Sequence, residues 1–159
     1  MLAFLKLDLS KKVVINVDET WIGISDFRCR KWCRPAGTNS VPKLQISPRI
    51  SMIVALDSTG DVFFSLLQAN SNSEIMGIFF QRLVEKLDSE RPGWRNTSYI
   101  LLDNAPYHKS AASLKLFEDL LVPVIYTGPH SYDASPVELF FAAFKAVDVN
   151  PRHVKTGKK

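Results

Sequence analysis

Two short apolar segments of this chain each lead directly into an aspartate. The segment VVINV (residues 13–17) precedes Asp18, and YILL (residues 99–102) precedes Asp103. Apolar runs with so little polar alternation are typical of strands buried on both faces of a partly parallel sheet. The carboxyl ends of neighbouring parallel strands lie at one sheet edge, roughly 4.8 Å apart. The two aspartates are therefore expected to lie close together at an edge where ligands commonly bind.

A third acidic residue, Glu138, stands near the start of a predicted helix, with 34 residues between it and Asp103. Three carboxylates would form an oxygen-rich site for Mg²⁺ or Mn²⁺, and two ions spaced about 3.5–4 Å apart can support phosphodiester chemistry. The residues thus suggest a metal-dependent phosphodiester enzyme. Two other roles stay open. Strand-terminal aspartates often accept turn hydrogen bonds, and Ser135, Pro136 and Glu138 also form a capping-box pattern.

The periodicity of apolar residues predicts a single α/β domain with a mixed five-stranded sheet flanked by helices, the order of a ribonuclease-H-like fold. Domain boundaries are expected at 1–12 for an N-terminal leader, 13–147 for the catalytic domain and 148–159 for a basic C-terminal tail. The five strands are expected at 13–18, 50–56, 62–67, 99–103 and 123–127, and the segment 21–27, with Gly23 as a bulge, is a candidate for an additional one.

Helix signals separate the later strands. Ser71 to Glu74 reads as a capping box at the start of a helix that ends before Pro92. A second helix is expected from about Ser110 to Leu121, with three apolar residues facing the core, and a third begins near Ser135. The three core-facing residues are Leu114, Phe117 and Leu121.

Basic residues surround one tryptophan in the long segment before residue 50. The net charge of +4 and the pI near 9.1 permit a polyanionic partner without requiring one. Arginines interleaved with an aromatic can hold phosphates and stack on bases, so this cluster is a candidate DNA-binding surface, with a solvated charged loop as the alternative. Its members are Arg28, Arg30, Lys31, Trp32, Arg34 and Lys43.

The two cysteines, Cys29 and Cys33, offer too few ligands for a zinc site and are expected to be reduced thiols. No apolar stretch approaches the roughly 18 residues that cross a bilayer, so no membrane partner is expected.

Three sequence motifs resemble those of mariner-superfamily DDE transposases. VDETW contains Asp18, LLDNAPYHKS contains Asp103, and SYDASPVE ends at Glu138. The family form of the third motif is similar to SPDLNPIE, and this chain departs from it at Tyr132, Ala134 and Ser135. The matching positions are Ser131, Asp133, Pro136 and Glu138, with Val137 as a conservative replacement. Trp32 with Gly37 resembles a further family element, and the resemblance covers Val13 to Lys145.

The resemblance implies a DNA transposase catalytic domain, a DDE endonuclease in which Asp18, Asp103 and Glu138 bind two Mg²⁺ (or Mn²⁺) ions for strand cleavage and strand transfer. Its partners would be the DNA of transposon ends and target, and it would act as a homodimer, in the nucleus of a eukaryotic host (favoured) or the cytoplasm of a bacterial one. An isolated catalytic domain is expected, because the sequence before the first strand leaves no room for the family's helix-turn-helix region.

Several neighbours of the acids are accessory candidates. His108 is expected to help position DNA or water, or else simply to begin a helix; Asn104 is expected to orient site groups, or else to form an Asx-turn. Glu19 could hold a water next to the site, but it is expected to face solvent. Two alternative functions stay open: a catalytically inactive, domesticated or decayed derivative that acts as a DNA-binding module, and a ribonuclease-H-like nuclease.

Overall fold

A computed structural model of the chain describes residues 12–23, 50–128 and 135–146. Within these residues five strands form one sheet in the order β3-β2-β1-β4-β5. β1, β2 and β3 pair antiparallel, whereas β4 and β5 continue the sheet parallel to β1. The predicted mixed five-stranded sheet is confirmed. The strands are β1 (Val13–Ile22), β2 (Ile50–Asp57), β3 (Val62–Leu67), β4 (Ser98–Leu102) and β5 (Val124–Tyr126).

Helices cover both faces of the sheet. Apolar residues from α1 and α3 pack with Ile15 and Val17 of β1 on one face, and Val137 and Phe141 of α4 pack with Ile22 on the other. Successive residues of a strand point to opposite faces, so alternate residues of β1 contribute to the two core clusters. The helices are α1 (Ser73–Glu90), α2 (Trp94–Thr97), α3 (Ala111–Asp119) and α4 (Pro136–Ala146), with a 3₁₀ helix at Pro106–Lys109. Within the described ranges, none of these helices is long and apolar enough to span a membrane.

β1 is longer than the sequence predicted. It does not end at Asp18, because β2 pairs with it without interruption from Ile15 opposite Asp57 to Ile22 opposite Ile50. The prediction of a separate strand at 21–27 is therefore wrong for its first two residues, which belong to β1, and residues 24–27 lie outside the described part of the chain. The pattern failed here because pairing with a distant strand, and not local turn chemistry, decides where β1 ends.

The turn between β2 and β3 lies where the sequence placed it. Gly60 has a φ of 99°, a conformation that residues with a Cβ rarely adopt. The Asp57 carboxylate accepts hydrogen bonds through Oδ1 from the backbone N–H groups of Thr59 (2.8 Å) and Asp61 (2.9 Å). One buried aspartate therefore holds the whole hairpin turn.

Two helix predictions need correction. The N-cap of α1 is Asn72 and not Ser71, since Asn72 Oδ1 accepts a hydrogen bond from the Ile75 N–H at 2.9 Å. In α3, Phe117 is buried as predicted, but Leu114 is 48% exposed and Leu121 is 72% exposed. Leu121 lies beyond the end of the helix, where helical spacing no longer fixes the direction of a side chain.

Candidate active site

Asp18 lies within β1 at the point where the neighbouring strand β4 stops. The parallel ladder pairs Asn16 with Leu101, so two further steps in the same register bring Asp18 level with Asp103. β4 ends at Leu102, one residue before Asp103. The two aspartates thus lie side by side where the parallel part of the sheet ends.

Glu138 lies in the first turn of α4, which packs on the same face of the sheet to which Asp18 points. Its carboxylate is exposed and makes no hydrogen bond to the described residues. The predicted capping box is not formed: the Ser135 hydroxyl donates to Asn16 Oδ1 at 3.0 Å, and Glu138 contributes only its N–H, to the backbone carbonyl of Ser135 at 3.1 Å. The Glu138 carboxylate is therefore not engaged in holding its own helix.

In each aspartate, one carboxylate oxygen accepts a hydrogen bond from a backbone N–H group. Asp18 Oδ1 accepts from the Glu19 N–H at 2.8 Å, and Asp103 Oδ1 accepts from the Ala105 N–H at 2.9 Å. The turn hydrogen bond considered as an alternative role for Asp103 is thus present. It occupies one of the two oxygens, and Oδ2 of each aspartate has no hydrogen-bond partner among the described residues.

The acids interact electrostatically. The pKa of the Asp18 carboxyl is raised to about 7, mainly by burial and further by the negative charges of Asp103 and Glu138, while the hydrogen bond from the Glu19 N–H partly offsets the rise. Like charges disfavour ionisation when they are brought together away from water. Asp18 is therefore within electrostatic reach of both of the other acids.

Glu19 is partly buried and does not simply face solvent. Its Oε2 atom is buried without a hydrogen-bond partner among the described residues. Burial, and to a lesser extent the charges of Asp18 and Asp103, together raise the pKa of this carboxyl to about 8. Alternation along the strand explains the error, because the residue after Asp18 points to the opposite, helix-covered face of β1. Glu19 is therefore a fourth acid near the site, and the prediction that it faces solvent is wrong.

The donor chemistry of the site suits a divalent cation. Carboxylate oxygens are the ligands preferred by hard ions such as Mg²⁺ and Mn²⁺, and a cation would relieve the repulsion that contributes to the raised pKa of Asp18. In the part of the chain that the structure describes, no set of three or more His, Cys, Asp or Glu side chains is already arranged to hold a metal ion. The residues thus fit a cation by charge and ligand type, and their side chains need to converge to bind it.

His108 lies against Asp103. It is 1% exposed, its Nε2 is 3.3 Å from Asp103 Oδ1, and neither ring nitrogen has a hydrogen-bond partner among the described residues. Burial lowers the pKa of its imidazole, and the charge of Asp103 opposes this. The lowered pKa favours the neutral form of this buried imidazole, which lies against the Asp103 carboxylate.

Asn104 links two loops. Its Nδ2 donates to the backbone carbonyl of Thr127, and its Oδ1 accepts from Lys109 Nζ. These contacts tie the segment after β4 to the end of β5. It is the side chain of Asp103, and not that of Asn104, that accepts the turn hydrogen bond from residue 105.

The predicted DNA-binding residues lie outside the described part of the chain, as do Cys29, Cys33, the first half of the third motif (residues 131–134) and the basic tail. Their proposed roles remain predictions, and so do the domain boundaries. The DNA-binding residues are Arg28, Arg30, Lys31, Trp32, Arg34 and Lys43.

The sequence matches the family of DDE superfamily endonucleases over residues 13–158. The chain belongs to this family, and the resemblance inferred from the three motifs is confirmed. No curated protein matches the chain.

Solved structures of the Mos1 transposase share the fold. The catalytic domain of Mos1 mariner transposase matches with a TM-score of 0.62 and 21% identity, over 91% of this chain and 63% of that one. The Mos1 paired-end complex with left transposon end matches with a TM-score of 0.68 and 23% identity, over 91% and 44%. The Mos1 mariner paired-end complex with Mn matches with a TM-score of 0.66 and 22% identity, again over 91% and 44%.

These likenesses establish the fold, and the predicted ribonuclease-H-like α/β architecture is confirmed. The chain spans less than half of the Mos1 chains in the two paired-end complexes, since 44% of each is covered. Mos1 structures are known with Mn and with Mg, which is in line with divalent metal use in this family.

Proposed function

We propose that this chain is the catalytic domain of a DNA transposase, which cuts DNA strands at transposon ends and joins them to target DNA. The observation that carries the proposal is that Asp18 and Asp103 lie level just past the end of the β1–β4 ladder, with Glu138 in the first turn of the helix packed on that face, in a chain of the DDE superfamily endonuclease family. The three acids come from β1, the segment after β4 and the first turn of α4. All three lie at one sheet edge, from which their carboxylates would close on the cations that metal-dependent phosphodiester chemistry needs.

Asp18, Asp103 and Glu138 would hold two divalent cations, Mg²⁺ or Mn²⁺. Once bound there, the ions would lower the pKa of the attacking water or 3′-hydroxyl and stabilise the charge on the leaving oxygen. The chain's own contribution is rigidity: Asp18 lies on β1, Asp103 directly follows the paired strand β4, and a helix packed on the sheet carries Glu138. Such a supporting scaffold keeps the reacting groups aligned.

The site is open enough for a polymer substrate. The Asp103 side chain is 50% exposed, and the Glu138 side chain lies on the surface. DNA phosphates would then contact the basic residues around Trp32, and two copies would act together on a pair of ends. The Mos1 paired-end complex with left transposon end supports a DNA partner by analogy.

A strand-cleavage assay tests the function. Labelled duplex and branched DNA substrates are incubated with the protein and Mn²⁺, next to Asp103→Asn as the site variant and Asp119→Asn as the matched control. Asp119 is an exposed residue at the end of α3, so its variant makes the same chemical change away from the site. We expect wild type and Asp119→Asn to cut DNA and Asp103→Asn to lose at least about 10³-fold in rate, since electrostatic stabilisation of the reaction is lost.

Two results would overturn the proposal. Binding of DNA without Mn²⁺-dependent cutting would indicate a decayed derivative. Preferential cutting of the RNA strand in an RNA–DNA hybrid would indicate a ribonuclease-H-like nuclease. Analytical ultracentrifugation with and without DNA tests the proposed dimer separately, and a protein that stays monomeric on DNA at micromolar concentration would contradict that part.

A further inference from the structure

Asn16 is a polar residue in the middle of an apolar strand. It lies between Ile15 and Val17 of β1 and is 3% exposed. A buried carboxamide without hydrogen-bond partners is destabilising, so its contacts show what the residue does in the fold. These contacts reach two other elements.

The Asn16 side chain joins three parts of the structure. Its Oδ1 accepts a hydrogen bond from the Val137 backbone N–H at 3.0 Å and another from the Ser135 hydroxyl at 3.0 Å. Its Nδ2 donates to the backbone carbonyl of Leu101 at 3.4 Å. One carboxamide thus connects β1 to the start of α4 and to β4, at the last residue pair of the β1–β4 ladder.

The hydrogen bond from the Val137 N–H to Asn16 acts as a helix cap for α4 that is supplied by a strand, β1. The first N–H groups of a helix have no partner within the helix, and a side-chain oxygen usually satisfies one of them from the residue just before it. Here the oxygen comes from β1, so it fixes both the start of α4 and the position of that start against the sheet. Near the other end of α4, Lys145 Nζ donates to Thr20 Oγ1 at 2.7 Å, so the helix is attached to β1 at both ends.

The Asn16 side chain and its two backbone partners, Leu101 and Val137, are the three anchor points. Each of them lies within two residues of a proposed metal-binding acid. The side chain that holds the anchors is rigid because it is buried and satisfied on both its oxygen and its nitrogen. A shift of any one segment would lengthen at least one of these hydrogen bonds. The pairs of anchor and acid are Asn16 and Asp18, Leu101 and Asp103, and Val137 and Glu138.

We propose that Asn16 is a positioning residue that sets the spacing of Asp18, Asp103 and Glu138 and so determines the affinity of the site for divalent cations. The inference rests on the proposed function in naming the cation, whereas the anchoring of α4 by Asn16 can be tested without it. Asn16 touches neither metal nor substrate in this role. It acts by holding together the three segments that carry the acids.

The test compares Asn16→Ala with Ser51→Ala. Ser51 is also fully buried, at 0% exposed, and its hydroxyl donates to the Ala69 carbonyl. Ser51 lies on the opposite face of the sheet from α4. Every second residue of a strand points to the same face, so Ser51 shares its face with Ile53 and Ala55, which belong to the other core cluster. Both variants therefore lose buried hydrogen bonding, but only Asn16→Ala disconnects the acid-bearing segments.

Two quantities are measured on the full chain: the Kd for Mn²⁺ by isothermal titration calorimetry, and amide hydrogen exchange of the peptide that contains Val137. We expect Asn16→Ala to raise the Mn²⁺ Kd by about 10–100-fold, the usual effect of losing a residue that orients metal ligands, and to speed exchange at the start of α4. Ser51→Ala should change neither. Asn16→Asp, which keeps the acceptor oxygen, should retain the protection of the Val137 amide.

Unchanged exchange at Val137 in Asn16→Ala would overturn the inference, and so would an equal rise of the Mn²⁺ Kd in Ser51→Ala. Should the wild-type protein itself fail to bind Mn²⁺, the proposed function fails. The anchoring role is then decided by the exchange measurement alone, in which faster exchange in Asn16→Ala supports it and unchanged exchange contradicts it.

Discussion

Asp18 and Asp103 stand level with each other on neighbouring parallel strands. Because β4 ends at Leu102 while β1 continues to Ile22, the two carboxylates lie just past the end of the shared ladder. Burial first, and then the charges of Asp103 and Glu138, raise the pKa of Asp18 to about 7. The ionised, metal-free site is therefore a source of instability that a cation would remove.

The first prediction concerns Asp18→Asn in the absence of metal. A folded pKa of about 7 lies above the unfolded value of about 3.9, so the folded state binds more protons and loses stability as the pH rises between these values. We expect the variant to raise the free energy of unfolding at pH 8 by roughly 1–3 kcal/mol, given about 1.4 kcal/mol for each pKa unit. At pH 4 the two proteins should differ little. Urea unfolding in EDTA at both pH values measures the difference.

Asp119→Asn is the control for this experiment, because it removes an exposed carboxylate outside the site. Asp119→Asn should show the same pH dependence of the free energy of unfolding as the wild-type protein. A stability gain in Asp18→Asn that is the same at pH 4 and pH 8 would contradict the proposed origin of the raised pKa.

The second prediction separates Glu19 from Asp18. Glu19 points to the other face of β1, and we expect it to influence the site only through its charge. Glu19→Gln should raise the free energy of unfolding above pH 8, since burial raises the pKa of this carboxyl to about 8. It should weaken Mn²⁺ binding by roughly tenfold or less through the lost attraction, whereas Asp18→Asn should abolish measurable binding because a ligand is removed. Calorimetric titration of both variants checks this. Loss of all binding in Glu19→Gln would mean that Glu19 is itself a ligand.

The third prediction concerns stability away from the site. The Asp57 side chain is 4% exposed, and its Oδ2 is 2.6 Å from the Arg91 guanidinium. Burial alone would raise the pKa of Asp57, but hydrogen bonds from Thr59 and Arg91 outweigh it and lower the pKa overall. We expect Arg91→Leu to lower the free energy of unfolding at pH 7 by roughly 1.5–3 kcal/mol, the usual value for a hydrogen bond to a charged group.

A depressed pKa contributes stability above the unfolded value and loses it as the pH falls, so the effect of Arg91→Leu should shrink below about pH 4. The control is Asp61→Ala, because Asp61 also contacts Arg91 but its side chain is 78% exposed. Asp61→Ala should lower the free energy of unfolding by less than about 1 kcal/mol. An equal decrease in the free energy of unfolding in the two variants would contradict the prediction that the Asp57–Arg91 pair stabilises the fold because Asp57 is buried. Mn²⁺ binding should be unaffected in both, since Asp57 pairs with Ile15, on the far side of Asn16 from Asp18.

Elements with strong local signals were predictable from the sequence. The hairpin of β2 and β3 has a turn that ends in Gly60, and α1 carries a regular apolar face, so both were found within a few residues. The spacing of Asp18, Asp103 and Glu138 was enough to identify the family, because three short motifs in order are specific even where each alone is not.

Features set by distant contacts were not predictable. β1 extends beyond Asp18 because β2, which is far away in the sequence, pairs along its whole length. The role of Asn16 also depends on residues more than 80 positions away. A signal for it was present, since a single carboxamide inside an otherwise apolar strand needs buried partners, but the sequence could not say which.

The most direct test of the account is a crystal structure of the chain soaked in Mn²⁺, with anomalous diffraction recorded at the manganese edge. We expect anomalous peaks between the carboxylates of Asp18, Asp103 and Glu138, about 3.5–4 Å apart where two ions bind. Carboxylate oxygens separated by more than about 10 Å, too far for ions at that spacing to bridge, or manganese bound only elsewhere, would contradict the central claim that these acids form one metal site.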